Sequence, residues 1–186
     1  MLLVVFLFAL TLRFERTEAL PCEKLLEPVD DHSEVRGKWF NLATTSNNEV
    51  FQGFMNRSLG SWKDITEDGN ETVMIRHDNL NGQCVYRVAR LTVSKNQVIY
   101  NFGKGQSKVQ YTCKFIKTKK ESVLGFLCDI DLFLQENSVG QFFILLGRTE
   151  HLSNKDKKHF EKMVECAGMT NIHYPPNEDM CGEDEE

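Results

Sequence analysis

Six cysteines carry the widest range of chemistry in this 186-residue chain: zinc ligation, thiol nucleophilicity or disulfide formation. Cys22, Cys84, Cys113, Cys128, Cys166 and Cys181 include no C-x-x-C pair and no Cys/His pair at zinc-ligand spacing. That pattern points to disulfides in an oxidising compartment. The histidines, His32, His77, His151, His159 and His173, are scattered over expected loop, strand and helix surfaces and read as solvated side chains. With no nucleophile elbow, phosphate loop or metal-ligand spacing, the sequence predicts no catalytic residue, no metal and no cofactor.

One cysteine pair follows from register. Two antiparallel strands joined by a turn around Thr118–Ser122 set Cys113 opposite Cys128, Phe115 opposite Phe126, Tyr111 opposite Ile130 and Val109 opposite Leu132. The period of two then puts all four pairs on one apolar face. Gln110, Thr112, Lys114 and Asp129 fall on the other face, which is mostly polar. Register and bridge support each other, so Cys113–Cys128 is an expected disulfide.

The ends bound the class of protein. Leu2 to Leu12 is an apolar run of signal-core length, and Thr17-Glu18-Ala19 suits cleavage before Leu20. Residues 1–19 therefore read as a secretory signal, with an uncleaved anchor as the alternative. The run is too short to span a bilayer, and no stable membrane insertion is expected. Residues 20–186 suit a single domain with an extended C-terminal tail. A net charge of −5 and an acidic end at Glu183 to Glu186 argue against nucleic-acid binding. Asn56-Arg57-Ser58 and Asn70-Glu71-Thr72 are glycosylation sequons at expected turns.

Between Lys38 and Arg148 the chain offers short alternating runs separated by turn signals. The expected strands are 38–46, 57–66, 71–78, 83–93, 97–103, 107–117, 122–132 and 140–148. Turns include Glu67-Asp68-Gly69-Asn70, Asn79-Leu80-Asn81-Gly82 and Gly103-Lys104-Gly105. This spacing predicts an all-β, eight-stranded, up-and-down antiparallel barrel. The Asn-rich connection Ser46–Asn56, with Gly53, would lie across a barrel mouth as a lid. After Ser153, a helix-capping residue, Phe160, Met163, Val164 and Ala167 form one apolar stripe, and Gly168 follows. That predicts one C-terminal helix packed outside the barrel.

Two motifs lie near opposite ends of this region. Gly37-Lys38-Trp39-Phe40 opens the first run and Leu146-Gly147-Arg148-Thr149-Glu150 closes the last. A guanidinium over an indole face would fasten the first strand to the last. Gly37, Trp39 and Arg148 in this arrangement resemble the lipocalin family, with a first motif like that of the α1-acid glycoproteins. Leu146 to Ser153 is similar to the third motif of neutrophil gelatinase-associated lipocalin. The usual T-D-Y of the middle motif is absent around Thr118–Ser122, which implies an outlier type.

The resemblance implies two further bridges: Cys84–Cys181 from the family's strand-to-tail pattern, and Cys22–Cys166 from the α1-acid glycoproteins. With Cys84 outward, Val85, Arg87, Ala89 and Leu91 turn inward. Arg87 then either enters the barrel, where it would favour an anionic head group or a polarisable aromatic ligand, or reaches water at the mouth. Tyr111, Phe115, Phe126 and Ile130 are taken as inward, with a cavity between Phe115 and Phe126. On the last strand both faces are apolar, and the resemblance favours Phe142 and Ile144 inward. Ala89 and Phe142 stand where a siderophore binder would carry cations, so a catecholate siderophore is not expected. Early-strand residues Leu59 to Ile65 lack the thiol of the family's enzymatic branch.

The implied function is that of a secreted, monomeric plasma carrier of one small lipophilic molecule, such as a lipid, steroid, drug-like compound or toxin. The alternative is an immunomodulatory or complement-associated interaction module with a filled barrel. An even cysteine count favours the carrier. No receptor is identifiable.

Overall fold

The structure, a computed structural model, describes residues 20–95, 97–102, 109–132, 140–178 and 180–182. The expected signal 1–19, the Gly103-Lys104-Gly105 turn and the acidic end lie outside the described residues.

Eight antiparallel strands close into one barrel in chain order. They are β1 (Gly37–Ser46), β2 (Ser58–Asp68), β3 (Glu71–Leu80), β4 (Gln83–Ser94), β5 (Gln97–Phe102), β6 (Val109–Ile116), β7 (Val123–Leu132) and β8 (Gly140–Gly147). The helices are α1 (Cys22–Leu25), α2 (Glu49–Met55) and α3 (Asn154–Cys166), with a 3-10 turn at His32–Val35. The expected strands match to within a few residues. The connection Ser46–Asn56, expected as a lid without an assigned element, contains α2. Gly53 and the β-branched Val50 give this segment little helix propensity of its own. It is helical because the Asn48 side chain accepts from Phe51 N at 3.0 Å and because Met55 is buried.

Closure rests on β1, which serves both neighbours. Gly37 to Phe40 pairs with β2, and Phe40 to Ser46 pairs with β8, with a register shift between Asn41 and Ala43. The tail fills the seam that opens between β1 and β2. Thr44 and His173 exchange backbone hydrogen bonds, and Asn177 N donates to Leu59 O at 2.9 Å. Near the shift, Gly147 permits close approach, since a Cβ there would stand 2.4 Å from Leu42 Cδ1.

Two apolar layers share the sheet. Inside lie Trp39, Ile65, Met74, Ala89, Tyr100, Phe115, Phe126, Phe142, Ile144 and Leu146, among others. Outside, Phe143 and Leu145 pack with Phe160, Met163 and Val164 of α3. This gives β8 a buried partner on each face, which explains why both of its faces are apolar. Ser153 caps α3, and Gly168 follows it at φ +69°.

The Arg148 guanidinium lies 3.6 Å from the Trp39 ring centroid. It donates to Lys38 O at 3.0 Å and Glu34 O at 3.1 Å, while Trp39 Nε1 donates to Val35 O at 2.8 Å. Gly37 has φ +86°, and a Cβ there would stand 3.2 Å from Arg148 Nη1. A side chain would thus meet both a left-handed backbone and the guanidinium. Disulfides join Cys22 to Cys166, Cys84 to Cys181 and Cys113 to Cys128. The last lies within the inner layer.

Arg148→Ala should cost ~2–4 kcal/mol, because it removes the cation–π contact and leaves two carbonyls without their donor. Chemical denaturation that shows a loss below about 0.5 kcal/mol would refute this. The bridges should also differ in weight. Cys22 and Cys166 are 144 residues apart and Cys113 and Cys128 are 15 apart. On loop entropy, Ala replacement of the first pair should cost ~2 kcal/mol more than replacement of the second. The reverse order would show that interior packing around Cys113–Cys128 dominates.

Candidate ligand-binding site

Register decides what the barrel encloses. The β3–β4 pairing sets Arg76 opposite Arg87 and Asp78 opposite Val85. The β2–β3 pairing sets Lys63 opposite Arg76 and Ser61 opposite Asp78. Lys63, Arg76 and Arg87 thus form one cross-strand row on the inner wall. The next row, Ile65, Met74 and Ala89, is apolar and belongs to the inner core.

The row is held by few acceptors. Arg76 Nη2 donates to Asp78 Oδ1 at 2.9 Å, and Arg87 Nη1 reaches Asp78 Oδ2 at 3.4 Å. Lys63 Nζ donates to Asn41 Oδ1 at 2.9 Å and stands 5.7 Å from the Phe126 ring centroid. Asn41 Nδ2 donates in turn to Ser61 Oγ. Lys63 is 2% exposed, and its ammonium has no carboxylate partner among the described residues. Burial, reinforced by Arg76 and opposed by Asp78, pushes its pKa down to about 7. Burial and Arg76 also lower Arg87.

The opposite wall is aromatic. Phe115 stacks on Phe126 at 4.8 Å, Tyr100 on Tyr111 at 4.8 Å, and Tyr111 meets Phe142 edge-on at 5.7 Å. Across the barrel end, α2 lays Phe51 flat on Phe142 at 4.3 Å, and Phe54 lies 4.9 Å from the Arg87 guanidinium. Beneath α2 is a cleft of about 20 Å³ lined by Asn41, Ser61, Arg76 and Asp78 on its polar side. Phe51, Phe54, Met55 and Ile144 line its apolar side. That volume holds about one water molecule.

Of the expected wall residues, Ala89, Phe115, Phe126, Ile130, Phe142 and Ile144 are buried in the inner core, with Tyr111 packed partly against it. Val85 and Arg87 are half-buried. Ile144 alone among these lines the cleft. No ligand-sized space separates Phe115 from Phe126, because their rings are in contact. Arg87 pairs with the buried Asp78 while its own side chain is 33% exposed. The cationic interior itself comes from β2 and β3, where it was not expected. Register arithmetic of the kind that placed Cys113 opposite Cys128, applied at the Gly69-Asn70 and Asn81-Gly82 turns, would have found the row.

Lys63 has a lower pKa folded than unfolded, so the folded chain holds fewer protons between pH about 7 and 10.5. The penalty for burying its charge is full below pH 7 and is relieved as pH rises through that window. The groups that face it are Asn41 on β1, Arg76 and Asp78 on β3 and the Phe126 ring on β7; Arg87, Tyr100 and Tyr111 act on Arg76 or Arg87 instead. Wild-type stability should therefore gain on that of Lys63→Met between pH 7 and 9. Parallel denaturation profiles of the two proteins would show that Lys63 is not desolvated.

Comparison with known proteins bears on the same barrel. No curated protein matches the chain by sequence. Among solved structures, it is similar to the siderocalin Ex-FABP at TM-score 0.60 and 16% identity, covering 77% of this chain and 94% of that one. Lipocalin 12 from rat epididymis aligns at TM-score 0.64 and 18% identity, over 79% of this chain and 85% of that one. The odorant-binding protein OBP1 aligns at 0.60 and 15%, over 84% and 99%. At such identities the likeness is one of fold. The family model for the lipocalin / cytosolic fatty-acid binding proteins matches residues 36–179, from the β1 approach to the tail. The chain belongs to the lipocalin / cytosolic fatty-acid binding protein family.

Proposed function

We propose that the protein is a secreted, monomeric carrier that binds one small lipophilic molecule inside the barrel. The observation that carries this reading is α2, a seven-residue helix whose Phe51, Phe54 and Met55 roof an internal cleft. A cleft of about 20 Å³ admits no lipophile as it stands, so entry requires these side chains to swing out. Binding then exchanges their contacts for ligand burial, at ~25 cal/mol per Å² of apolar surface removed from water. A seven-residue helix held by its cap and by side-chain contacts at the barrel mouth is suited to such displacement.

Secretion is supported by the apolar run Leu2 to Leu12 and by three disulfides. Asn56 and Asn70 are exposed, as glycosylation acceptors must be. Among the described residues no helix is long and apolar enough to cross a membrane. The second reading, a filled barrel that acts through its surface, draws on the small size of the cleft.

Titration of a fluorescent lipophilic probe separates the two readings. Wild type should bind saturably at one site. Ile144→Trp, which fills the cleft, should weaken binding roughly tenfold or more, and Phe51→Ala should speed association. Absence of saturable binding across fatty acids, steroids and amphiphilic drugs would favour the interaction module.

A further inference from the structure

The tip of the β6–β7 hairpin and one flank of α3 enclose a surface cleft of about 270 Å³. Lys119 and Lys120 enter it from the turn, and Lys155, Lys158, His159 and Lys162 from the helix. Asp156 is the one carboxylate in its lining. The five lysines are exposed and His159 is half-buried. With His159 neutral the cleft is four charges positive, on a chain whose net charge is −5. The frame is fixed. Val123 N donates to Lys120 O at 3.1 Å and Arg148 N to Ser122 O at 2.9 Å, which pins the turn. Cys22–Cys166 and the apolar stripe pin α3. Asp156 accepts from Lys120 Nζ at 2.6 Å and from the Ser153 cap, so it ties turn to helix.

A lysine-bearing helix face is ordinarily a solvated one, with carboxylates interleaved at i,i+4 spacing. This face is built otherwise. Lys155, Lys158 and Lys162 fall at i, i+3 and i+7, a single stripe about 10 Å long. Lys158 and Lys162 are a like-charge i,i+4 pair, which destabilises a helix. Lys155 stands in the first turn, where the helix dipole disfavours a cation. Glu161 and Glu165, which could offset these charges, lie on the other flank, in a groove with Ile172 and Tyr174. Among the described residues the cleft holds one ion pair, Lys120 with Asp156, and Lys119, Lys155, Lys158 and Lys162 have none. Charge is thus gathered where the stability of the chain alone would disperse it.

We propose that the cleft between the β6–β7 turn and α3 binds a sulfated polysaccharide. The site does not depend on what the barrel carries; it uses the secretion reading only to bring such a polymer within reach. The chemistry of the lining selects this partner. No apolar side chain borders the cleft, and the exposed hydrophobics Leu20, Val50, Leu59, Val88 and Val93 lie elsewhere. A membrane-surface site needs an apolar face to bury. A single-stranded nucleic acid needs a Phe, Tyr or Trp platform for its bases, and none lines the cleft. Lysine ammoniums are mobile point charges with three donors each, suited to sulfates repeated along a flexible chain, whereas bidentate phosphate recognition favours arginine. His159 reports occupancy. Burial, Lys119 and Lys162 hold its pKa below the ordinary imidazole value, with Asp156 opposing them. Sulfates beside the lysines offset that field, so the bound polymer raises the His159 pKa and affinity grows as pH falls through this range.

A heparin octasaccharide is the probe, titrated into the disulfide-bonded protein at about 0.15 M salt. Wild type should bind it saturably, with affinity falling as salt rises. Replacing both Lys158 and Lys162 with Gln should weaken binding roughly tenfold or more and flatten the salt dependence. Replacing both Arg90 and Lys95 with Gln removes the same charge from exposed positions on β4 and its turn, and should leave affinity within about twofold of wild type. In NMR titrations of wild type, the octasaccharide should move the His159 midpoint to higher pH. Equal losses in the two double variants would reduce the effect to net charge and overturn the cleft as its site. An unmoved His159 midpoint overturns it as well. Equal binding of an unsulfated polyuronate overturns the requirement for sulfate. Tighter binding to phosphatidylserine vesicles than to heparin replaces the polysaccharide with a membrane surface. Each of these failures leaves the carrier reading intact, since that reading is tested by a lipophilic probe inside the barrel.

Discussion

Closure of the sheet through β1 is the constraint on which the rest of the molecule depends. A β-sheet has two edges of unpaired backbone groups, and joining first strand to last removes them. Here one ten-residue strand must meet β2 over its first turns and β8 over the remainder. The register shift at Asn41–Ala43 makes that possible, and Gly147 leaves room for Leu42 at the shift. Arg148, stacked on Trp39, bonds the carbonyls of Lys38 and Glu34 and so ties the end of β8 to the approach of β1. The tail completes the seam where β1 and β2 diverge.

Once closed, the wall sorts every side chain into one of two layers. The inner layer packs on itself, and the outer one is covered where α3, the N-terminal segment and the tail lie. The disulfides connect pieces that closure alone leaves loose. Cys22 ties the N-terminal segment to α3, and Cys84 ties the tail to β4. Trp62, stacked on His77 at 3.5 Å and donating to Cys181 O at 2.9 Å, seats the same tail on the outer face.

The interior is divided between a cationic wall on β2, β3 and β4 and an aromatic wall on β5 to β8. This division is costly in the protein alone, since Lys63 is desolvated beside a second cation. Proteins depart from the most stable arrangement chiefly where function requires it. The lid is a related case: α2 is helical through its docking at the barrel mouth.

Much of the fold was legible in the sequence because it depends on local pattern. Alternation located the strands, turn residues fixed the β6–β7 register that pairs Cys113 with Cys128, and the cap and stripe marked α3. The contact of Trp39 with Arg148 was legible because their motifs sit at the strands that closure must join. The faces of β8 were not legible from its residues, since a strand buried on both sides loses its alternation. α2 was hidden because a glycine-bearing segment becomes helical only against a partner surface. Lys63 and Arg76 each look like an ordinary surface charge when read alone, whereas strand parity marked Arg87 as a charge that could turn inward. Residue types and spacing by themselves determined a closed, disulfide-braced barrel with an outer helix. The tertiary structure decided that three cations share its interior, because burial belongs to two strand registers and a closed wall acting together.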